Sequence, residues 1–247
     1  MEVENMVHTK KSAKYKRIVL KFSGEAFSGV NSLGIDFTVL HYIVAEVKPL
    51  LAEKVQVGIV VGGGNLFRGA ELKNVDRVTG DHMGMLATLM NALALRDAFL
   101  RAGISAEAMS AIPLIGLCDN YNRKDAIKDL NEGKVLIFGG GTGNPLVTTD
   151  TALALRGIEL DADLILKATN VDGVYSSNPT RDLDAKLYSH LTYTEALEKQ
   201  LKVMDLAAFC MCRDHNMSLR VYNMHKTGAL ARIIRGEEEG TLLDNEG

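Results

Sequence analysis

Cysteine is scarce in this chain. Cys118, Cys210 and Cys212 are the only three, too few and too scattered to frame a disulfide-stapled fold. Cys210-Met211-Cys212 has no second Cys/His pair at matching spacing, so buried thiols are the reading and a zinc site has no support. The six histidines are dispersed too, and no Ser-His-Asp arrangement is visible. A strong charge of either sign is also missing. The net charge of −3 gives no reason to expect a nucleic-acid surface. No apolar run is long enough to span a bilayer, and there is no repeat, low-complexity segment or long linker. Lys10, Lys11, Lys14, Lys16 and Arg17 crowd the first seventeen residues, but the apolar stretch of a signal peptide does not follow them. Residues 1–15 are therefore expected to be a disordered basic tail, and the protein is expected in the cytoplasm, away from membranes.

What is present fits an ordinary globular chain. Its 247 residues are 47% apolar and 24% charged, enough for one large α/β domain or two small ones with a substantial core. Ile18-Val19-Leu20-Lys21-Phe22 reads as a buried strand ending at Ser23-Gly24. Lys21 interrupts the apolar run. Either the strand is an edge, or the stem snorkels, or the ammonium sits at the strand's C-terminal end, where open α/β sheets bind ligands. With Asp36 as N-cap, Phe37, Leu40, Ile43, Val44, Val47 and Leu51 recur at helical spacing.

A strand over residues 55–61 runs into Gly62-Gly63-Gly64-Asn65-Leu66-Phe67-Arg68-Gly69. Gly64 and Gly69 have the spacing of a P-loop, but Ala70-Glu71 stands where Lys-Ser/Thr should be, so this is not a Walker A loop. Residues 81–102 read as a long amphipathic helix closed by Gly103, with core or subunit-interface residues along it. A strand over 104–109 and a helix over 123–132, ended by Gly133, come next. Val135-Leu136-Ile137-Phe138 then enters Gly139-Gly140-Gly141-Thr142-Gly143-Asn144-Pro145-Leu146-Val147-Thr148-Thr149-Asp150.

Four glycines in five positions carry an entropic cost that close approach of backbone N–H groups to an anion would justify, at a strand end leading into a helix. A helix over 151–160 leads to a second strand with a lysine near its end, Leu164-Ile165-Leu166-Lys167-Ala168-Thr169. Residues 170–179 read as a loop or hairpin turning at Asp172-Gly173. Thr192 and Glu195 form a capping box for a helix through Gln200. A helix over 204–215 has Asp205 in its first turn, and a strand over 219–222, a helix over 227–235 and a strand over 241–243 complete the chain. The βαβα alternation implies a mainly parallel sheet covered by helices on both faces.

Glycine-polar strand ends, the cations Lys21, Arg68 and Lys167, and the acids Asp81, Asp150 and Asp205 suit phosphorylated ligands with a divalent metal. Phosphoryl transfer asks mainly for positioning and charge stabilisation. An acceptor that is itself a phosphate is ionised at neutral pH, its second pKa being near ~6, and needs no general base.

The motifs Lys21-Phe22-Ser23-Gly24-Glu25, Gly62 to Gly69, Gly80-Asp81-His82-Met83-Gly84-Met85, Thr142-Gly143-Asn144-Pro145 with Thr148-Thr149-Asp150, Lys167-Ala168-Thr169 with Val171-Asp172-Gly173-Val174-Tyr175, and Val203-Met204-Asp205 are colinear from about residue 16 onward. In that order they resemble the bacterial UMP kinases of the amino acid kinase superfamily. The resemblance implies a three-layer α/β/α sandwich with a mainly parallel central sheet, assembled as a homo-hexamer. It also implies transfer of the γ-phosphoryl group from Mg²⁺-bound ATP to UMP in de novo pyrimidine synthesis. Within a single domain over 16–247, residues 16–150 would form the acceptor side and 151–247 the ATP side.

By motif position, Lys21, Phe22, Ser23, Gly24, Gly64 and Arg68 would meet ATP phosphates, with Thr169, Tyr175 and Asn178 bordering the adenine nucleotide. Gly63, Arg68 and Thr149 would hold the UMP phosphate, and Asp81 the ribose hydroxyls. Thr142, Gly143, Asn144, Pro145, Leu146, Val147 and Thr148 would line the rest of UMP. Lys21, Asp150 and Asp205 would be catalytic, the two acids organising lysine and Mg²⁺, with the metal bound mainly through ATP. Asn178 stands where many members carry aspartate. The resemblance further implies GTP activation and UTP inhibition, with Gly29, Val30, Asn31, Ser32, Leu33 and Gly34 at the GTP-responsive loop. Glu107 and Lys134 stand where some GTP-activated members carry arginines, and Glu107 would repel a triphosphate. The alternatives are a kinase of the same superfamily acting on carbamate or an amino-acid carboxylate, and a non-catalytic uridine-nucleotide sensor. A nicotinamide dehydrogenase fails for want of GxGxxG.

Overall fold

A computed structural model describes residues 12–29, 33–67 and 74–246. The elements in chain order are β1 (Arg17–Phe22), α1 (Gly24–Phe27), α2 (Phe37–Ala52), β2 (Gln56–Val61), α3 (Arg77–Arg101), β3 (Ala106–Ser110), β4 (Asp119–Asn120), α4 (Arg123–Asn131) and β5 (Val135–Gly139). Then come α5 (Thr149–Glu159), β6 (Leu164–Thr169), β7 (His190–Thr192), α6 (Tyr193–Glu198), α7 (Leu206–Asp214), β8 (Leu219–Asn223), α8 (Ala229–Ile234) and β9 (Thr241–Asp244). The strands form one sheet in the order β4-β3-β5-β2-β1-β6-β8-β9-β7. Every pairing is parallel except β8 with β9. The expected mainly parallel α/β sheet is thus observed.

β1 lies in the middle of this sheet, which removes the edge-strand reading of Lys21. The period of two along a strand explains where Lys21 goes. Ile18, Leu20 and Phe22 enter one core with α2, α3 and α8, represented by Leu40, Leu95 and Ile233. Val19 enters the other, with Leu153 of α5 and Phe209 of α7. Lys21 shares the parity of Val19, and Lys167 that of Ile165. Both lysines therefore face the α5 layer at the strand ends, where α5 begins.

Several elements differ from expectation at their ends. α3 starts four residues earlier, because Asp76 is its N-cap and accepts from Thr79 N at 3.1 Å. Asp205 is not in the first turn of α7 but caps it, accepting from Ala208 N at 2.9 Å. Asp172-Gly173 is not a hairpin turn. The one antiparallel bridge nearby joins Tyr175 to Leu187, and Gly173 is required because a Cβ there would lie 2.5 Å from Thr241 Oγ1. Asp36 caps α2, and Thr192 with Glu195 forms the capping box of α6. Of the two thiols at 210 and 212 only Cys212 is buried, which corrects the reading of that pair as buried.

Of the expected tail, residues 1–11 lie outside the described residues. Residues 12–15 pack on the fold: Ala13 and Tyr15 rest against the α2/α8 core, and Lys14 N donates to Ile234 O at 2.8 Å. α3 is long and apolar enough, by length and composition alone, to reach across a bilayer, but half of its most apolar stretch is buried in the protein, and it makes contacts with β3 and β5.

Candidate active site

The cations and acids of the motif series meet at the C-terminal ends of β1 and β6. Lys21 and Lys167 are register partners on the paired strands, so their like charges lie side by side. Asp150, in the first turn of α5, answers both. Its Oδ1 lies 2.9 Å from Lys21 Nζ and its Oδ2 2.6 Å from Lys167 Nζ. Lys167 also donates to Val203 O at 2.5 Å. Lys21 and Asp150 are buried.

Burial alone would raise the Asp150 pKa, but the two ammonium groups outweigh it and hold the carboxyl below its usual range. Burial pushes the Lys167 ammonium below the ordinary lysine value; Asp150 opposes that shift and Lys21 adds to it. A carboxylate so committed is a weak proton acceptor and a strong positioner of cations. The helix start that presents it is fixed locally: Thr148 caps α5 by accepting from Asp150 N at 3.0 Å. Asp205 joins α7 to the same corner, accepting from the Thr148 hydroxyl and from Thr151 Oγ1 at 2.9 Å. It thus braces the start of α5 and contacts neither lysine.

One side of this cluster is a pocket of about 220 Å³ lined by Gly63, Gly64, Asp81, Thr142, Asn144, Val147, Thr148 and Thr149. Asp81 accepts from Leu146 N at 2.8 Å and pairs with Arg77 Nε at 3.1 Å. Burial works against its charge, yet the Leu146 N–H and Arg77 keep its pKa below the ordinary carboxylate value. Leu146 is held at φ 68°, a left-handed conformation unusual for a leucine. It is exposed, so Asp81 rather than side-chain packing holds this loop in shape. Gly143, Pro145 and Leu146 belong to the same loop without lining the pocket.

On the other side is a larger cavity of about 650 Å³, lined by Lys167, Thr169, Tyr175, Asn178 and residues 199–203. Thr169 Oγ1 donates to Val171 O at 2.7 Å and thereby shapes the loop after β6. Asn178 Oδ1 accepts from Thr180 N at 3.0 Å and Thr180 Oγ1 at 2.7 Å, which leaves its amide hydrogens for other partners. A third cavity, lined by Asp150, Lys167 and apolar residues of α6 and α7 such as Leu197 and Phe209, adjoins this one through residues 200–203.

The remaining expected residues fall as follows. Ser23 and Gly24 form the turn after β1. Gly24 is required there, because a Cβ would lie 2.1 Å from Gly64 N. Phe22 is buried in the α2 layer, so only its backbone is at the strand end. Gly34 N donates to Asn65 O at 3.0 Å, while Gly29 and Leu33 are exposed. Arg68, Val30, Asn31 and Ser32 lie outside the described residues. Sequence reading missed Arg77 and Thr88 in the first pocket. They share a helix face with Asp81 and Gly84 at positions 77, 81, 84 and 88, a spacing hidden when the helix is started at Asp81. It also missed residues 199–202, for which no spacing or composition signal exists.

A sheet whose winding reverses at β1, with one pocket lined by Thr148 and Thr149 just before Asp150 and another lined by Lys167, is the setting in which the comparisons with known proteins fall. The amino acid kinase family model matches residues 16–223, and the chain belongs to that family. Its relatives are more particular. The uridylate kinase of Vibrio vulnificus is 60% identical over 231 residues, spanning 93% of this chain and 96% of that protein. The structure of UMP kinase from Bacillus anthracis is similar with a TM-score of 0.92 at 37% identity, covering 94% of this chain and 97% of that one. UMP kinase from Ureaplasma parvum gives a TM-score of 0.88 at 35% identity, covering 93% and 99% respectively.

Proposed function

We propose that this protein transfers the γ-phosphoryl group of ATP to UMP, giving ADP and UDP in pyrimidine nucleotide synthesis. The observation that carries the reading is Asp150, clamped between Lys21 and Lys167 directly after the pocket-lining Thr149. The UMP phosphate has a second pKa of about 6 and attacks as a dianion, so no general base is needed. That agrees with an Asp150 whose proton affinity is lowered by two cations. The remaining barrier lies in holding two polyanions in line and stabilising charge on the transferring group. Lys21 supplies the cation, and Asp150 and Lys167 fix where it stands. The smaller pocket takes UMP: Gly63, Arg68 and Thr149 at the phosphate, Asp81 at the ribose, and residues 142–148 along the base. The larger takes the adenine nucleotide, with Thr169, Tyr175 and Asn178 around it, and the ATP phosphates reach Ser23, Gly24 and Gly64, the last of which lines the smaller pocket.

The residues present fit an Mg²⁺ carried by ATP. Among the described residues no three His, Cys, Asp or Glu side chains converge to hold a metal, and Mg²⁺ readily keeps waters while binding phosphate oxygens. Asp150 and Asp205 are the carboxylates that would orient it. When bound, it neutralises charge on the donor phosphates. A cytoplasmic homo-hexamer, activated by GTP through residues 29–34 and inhibited by UTP, completes the reading. The exposed apolar stripe of Met83, Leu86 and Met90 on α3 supports assembly.

ADP release from Mg²⁺-ATP, with UMP, CMP, AMP, glutamate and carbamate as competing acceptors, tests the proposal. Turnover confined to UMP is expected, and none with UMP overturns it. In the same assay Lys21→Ala should lower kcat by about 10²–10³-fold while the UMP KM moves far less. An unchanged kcat would remove Lys21 from the chemistry.

A further inference from the structure

We propose that Thr88 and Asn91 of α3 are positioning residues for acceptor binding, each pinning one of the two glycine turns that wall the smaller pocket. Thr88 is 4% exposed and Asn91 is fully buried. Polar side chains at such depth in a core helix are costly unless satisfied, and the partners they find are informative. Thr88 Oγ1 accepts from Gly140 N at 2.7 Å and donates to Met85 O at 2.7 Å. Asn91 Nδ2 donates to Gly62 O at 2.7 Å and to Asn65 Oδ1 at 2.7 Å. Asn65, equally buried, returns a bond to Asn91 Oδ1 at 3.0 Å and donates to Gly34 O at 2.7 Å. The outer partner of each amide is a carbonyl, so each must present its NH₂ there and the pair has one orientation.

Steric contact points the same way. A Cβ on Gly63 would lie 3.0 Å from Thr88 N, and one on Gly139 would lie 2.7 Å from Leu89 Cδ2. The turns after β2 and β5 therefore rest directly on α3, clamped by side chains one helical turn apart. Gly63 and Gly64 of one turn and Gly141 and Thr142 of the other line the pocket. Its width is thus set by a rigid helix rather than by two loops, which removes ordering cost from acceptor binding. None of the α3 residues lines the larger cavity, and the turn at Gly140 that Thr88 holds carries no residue assigned to ATP, so the Thr88 effect belongs to one substrate.

The inference rests on the reading that the smaller pocket takes UMP. It is tested with the full chain by measuring KM for UMP, KM for ATP and Tm in Thr88→Val, Thr88→Ser and Asn91→Ser. Thr88→Val keeps the shape and strands the Gly140 N–H. It should raise the UMP KM about tenfold while the ATP KM stays within about twofold. Thr88→Ser, which keeps the hydroxyl, should restore the wild-type value, and Asn91→Ser should also raise the UMP KM. An unchanged UMP KM in Thr88→Val, equal rises in both KM values, or no rescue by serine overturns the proposal. A fall in Tm with unaltered kinetics does so too, since it would leave the residues purely structural. If Asn91→Ser does not fold, the two Thr88 variants decide. Wild-type enzyme inactive on UMP would defeat the functional reading instead, whereas active wild type with a kinetically silent Thr88→Val defeats this inference alone.

Discussion

Asp150 is where the opposing demands on single residues are sharpest. Two ammonium groups on neighbouring strands repel, and one carboxylate between them reverses the sign of that interaction. Removing the carboxylate leaves the buried Lys21 and the half-buried Lys167 without their shared ion-pair partner. Asp150→Asn should therefore cost about 3–5 kcal/mol at neutral pH. The pH dependence follows from the lowered pKa of Asp150 in the folded state. Between that value and the unfolded pKa near ~3.9 the native state binds fewer protons, so its stability rises with pH there. The contribution is complete above the unfolded pKa and is lost as pH falls through the folded one. Thermal melts of wild type and Asp150→Asn across the acid range should show a Tm gap that is flat above about pH 5 and closes below it. A gap that widens in acid would remove the triad as its source. These three residues were legible because a lysine late in an apolar strand is conspicuous twice over. Asp205 was legible as important, but its cap and its hydroxyl partners were not, because they depend on α5 and α7 being neighbours.

At the scale of elements, α3 decides the shape of the smaller pocket, and two glycines beside it should respond in opposite ways. An added methyl on Gly63 would meet Gly84 O at 2.8 Å, which is backbone and cannot yield cheaply. Gly63→Ala should lower stability by about 1–3 kcal/mol. Gly84 lies inside the helix, and an added methyl there would find no atom within 4 Å; it also lines the pocket. Gly84→Ala should gain about 0.5–1 kcal/mol from helix propensity and still raise the UMP KM, because the methyl stands where the acceptor goes. Melting curves and UMP saturation curves for the pair check this; a Gly84→Ala enzyme of unchanged UMP KM would place the acceptor elsewhere. The glycine clusters were legible as close-approach sites, but much of what approaches is α3 and the neighbouring turns, which sequence cannot reveal. The start of α3 was misplaced because its first turn, Arg77-Val78-Thr79-Gly80, carries no apolar period and contains a glycine. β4 and β7, of two and three residues, are too short for any alternation to show.

At the scale of the whole molecule, one sheet carries both pockets. From β1 the chain adds β2, then β3 and β4 farther out, fills the place between β2 and β3 with β5, and returns through α5 to place β6 on the other flank of β1. Ligands in open α/β sheets bind where the winding reverses, and here that point is the end of β1, at Lys21. Because β1 pairs with β2 on one side and β6 on the other, the sheet has no seam between residues 16–150 and residues 151–246. Unfolding should therefore be one cooperative transition, and a ligand of one pocket should stabilise all of it. UMP at about 100 times its Kd adds roughly 2.7 kcal/mol, which for a chain of this length raises Tm by roughly 5–10 °C. The chain has no tryptophan, so tyrosine fluorescence can be set against far-UV circular dichroism without a dominating indole signal. Tyr42 and Tyr121 report on the half before α5, and the buried Tyr193 and Tyr222 on the half after it. At fixed protein concentration both probes should give one midpoint, displaced equally by UMP. Two midpoints, with only one moved by UMP, would mean that the halves unfold separately and that the β1–β6 pairing does not couple them.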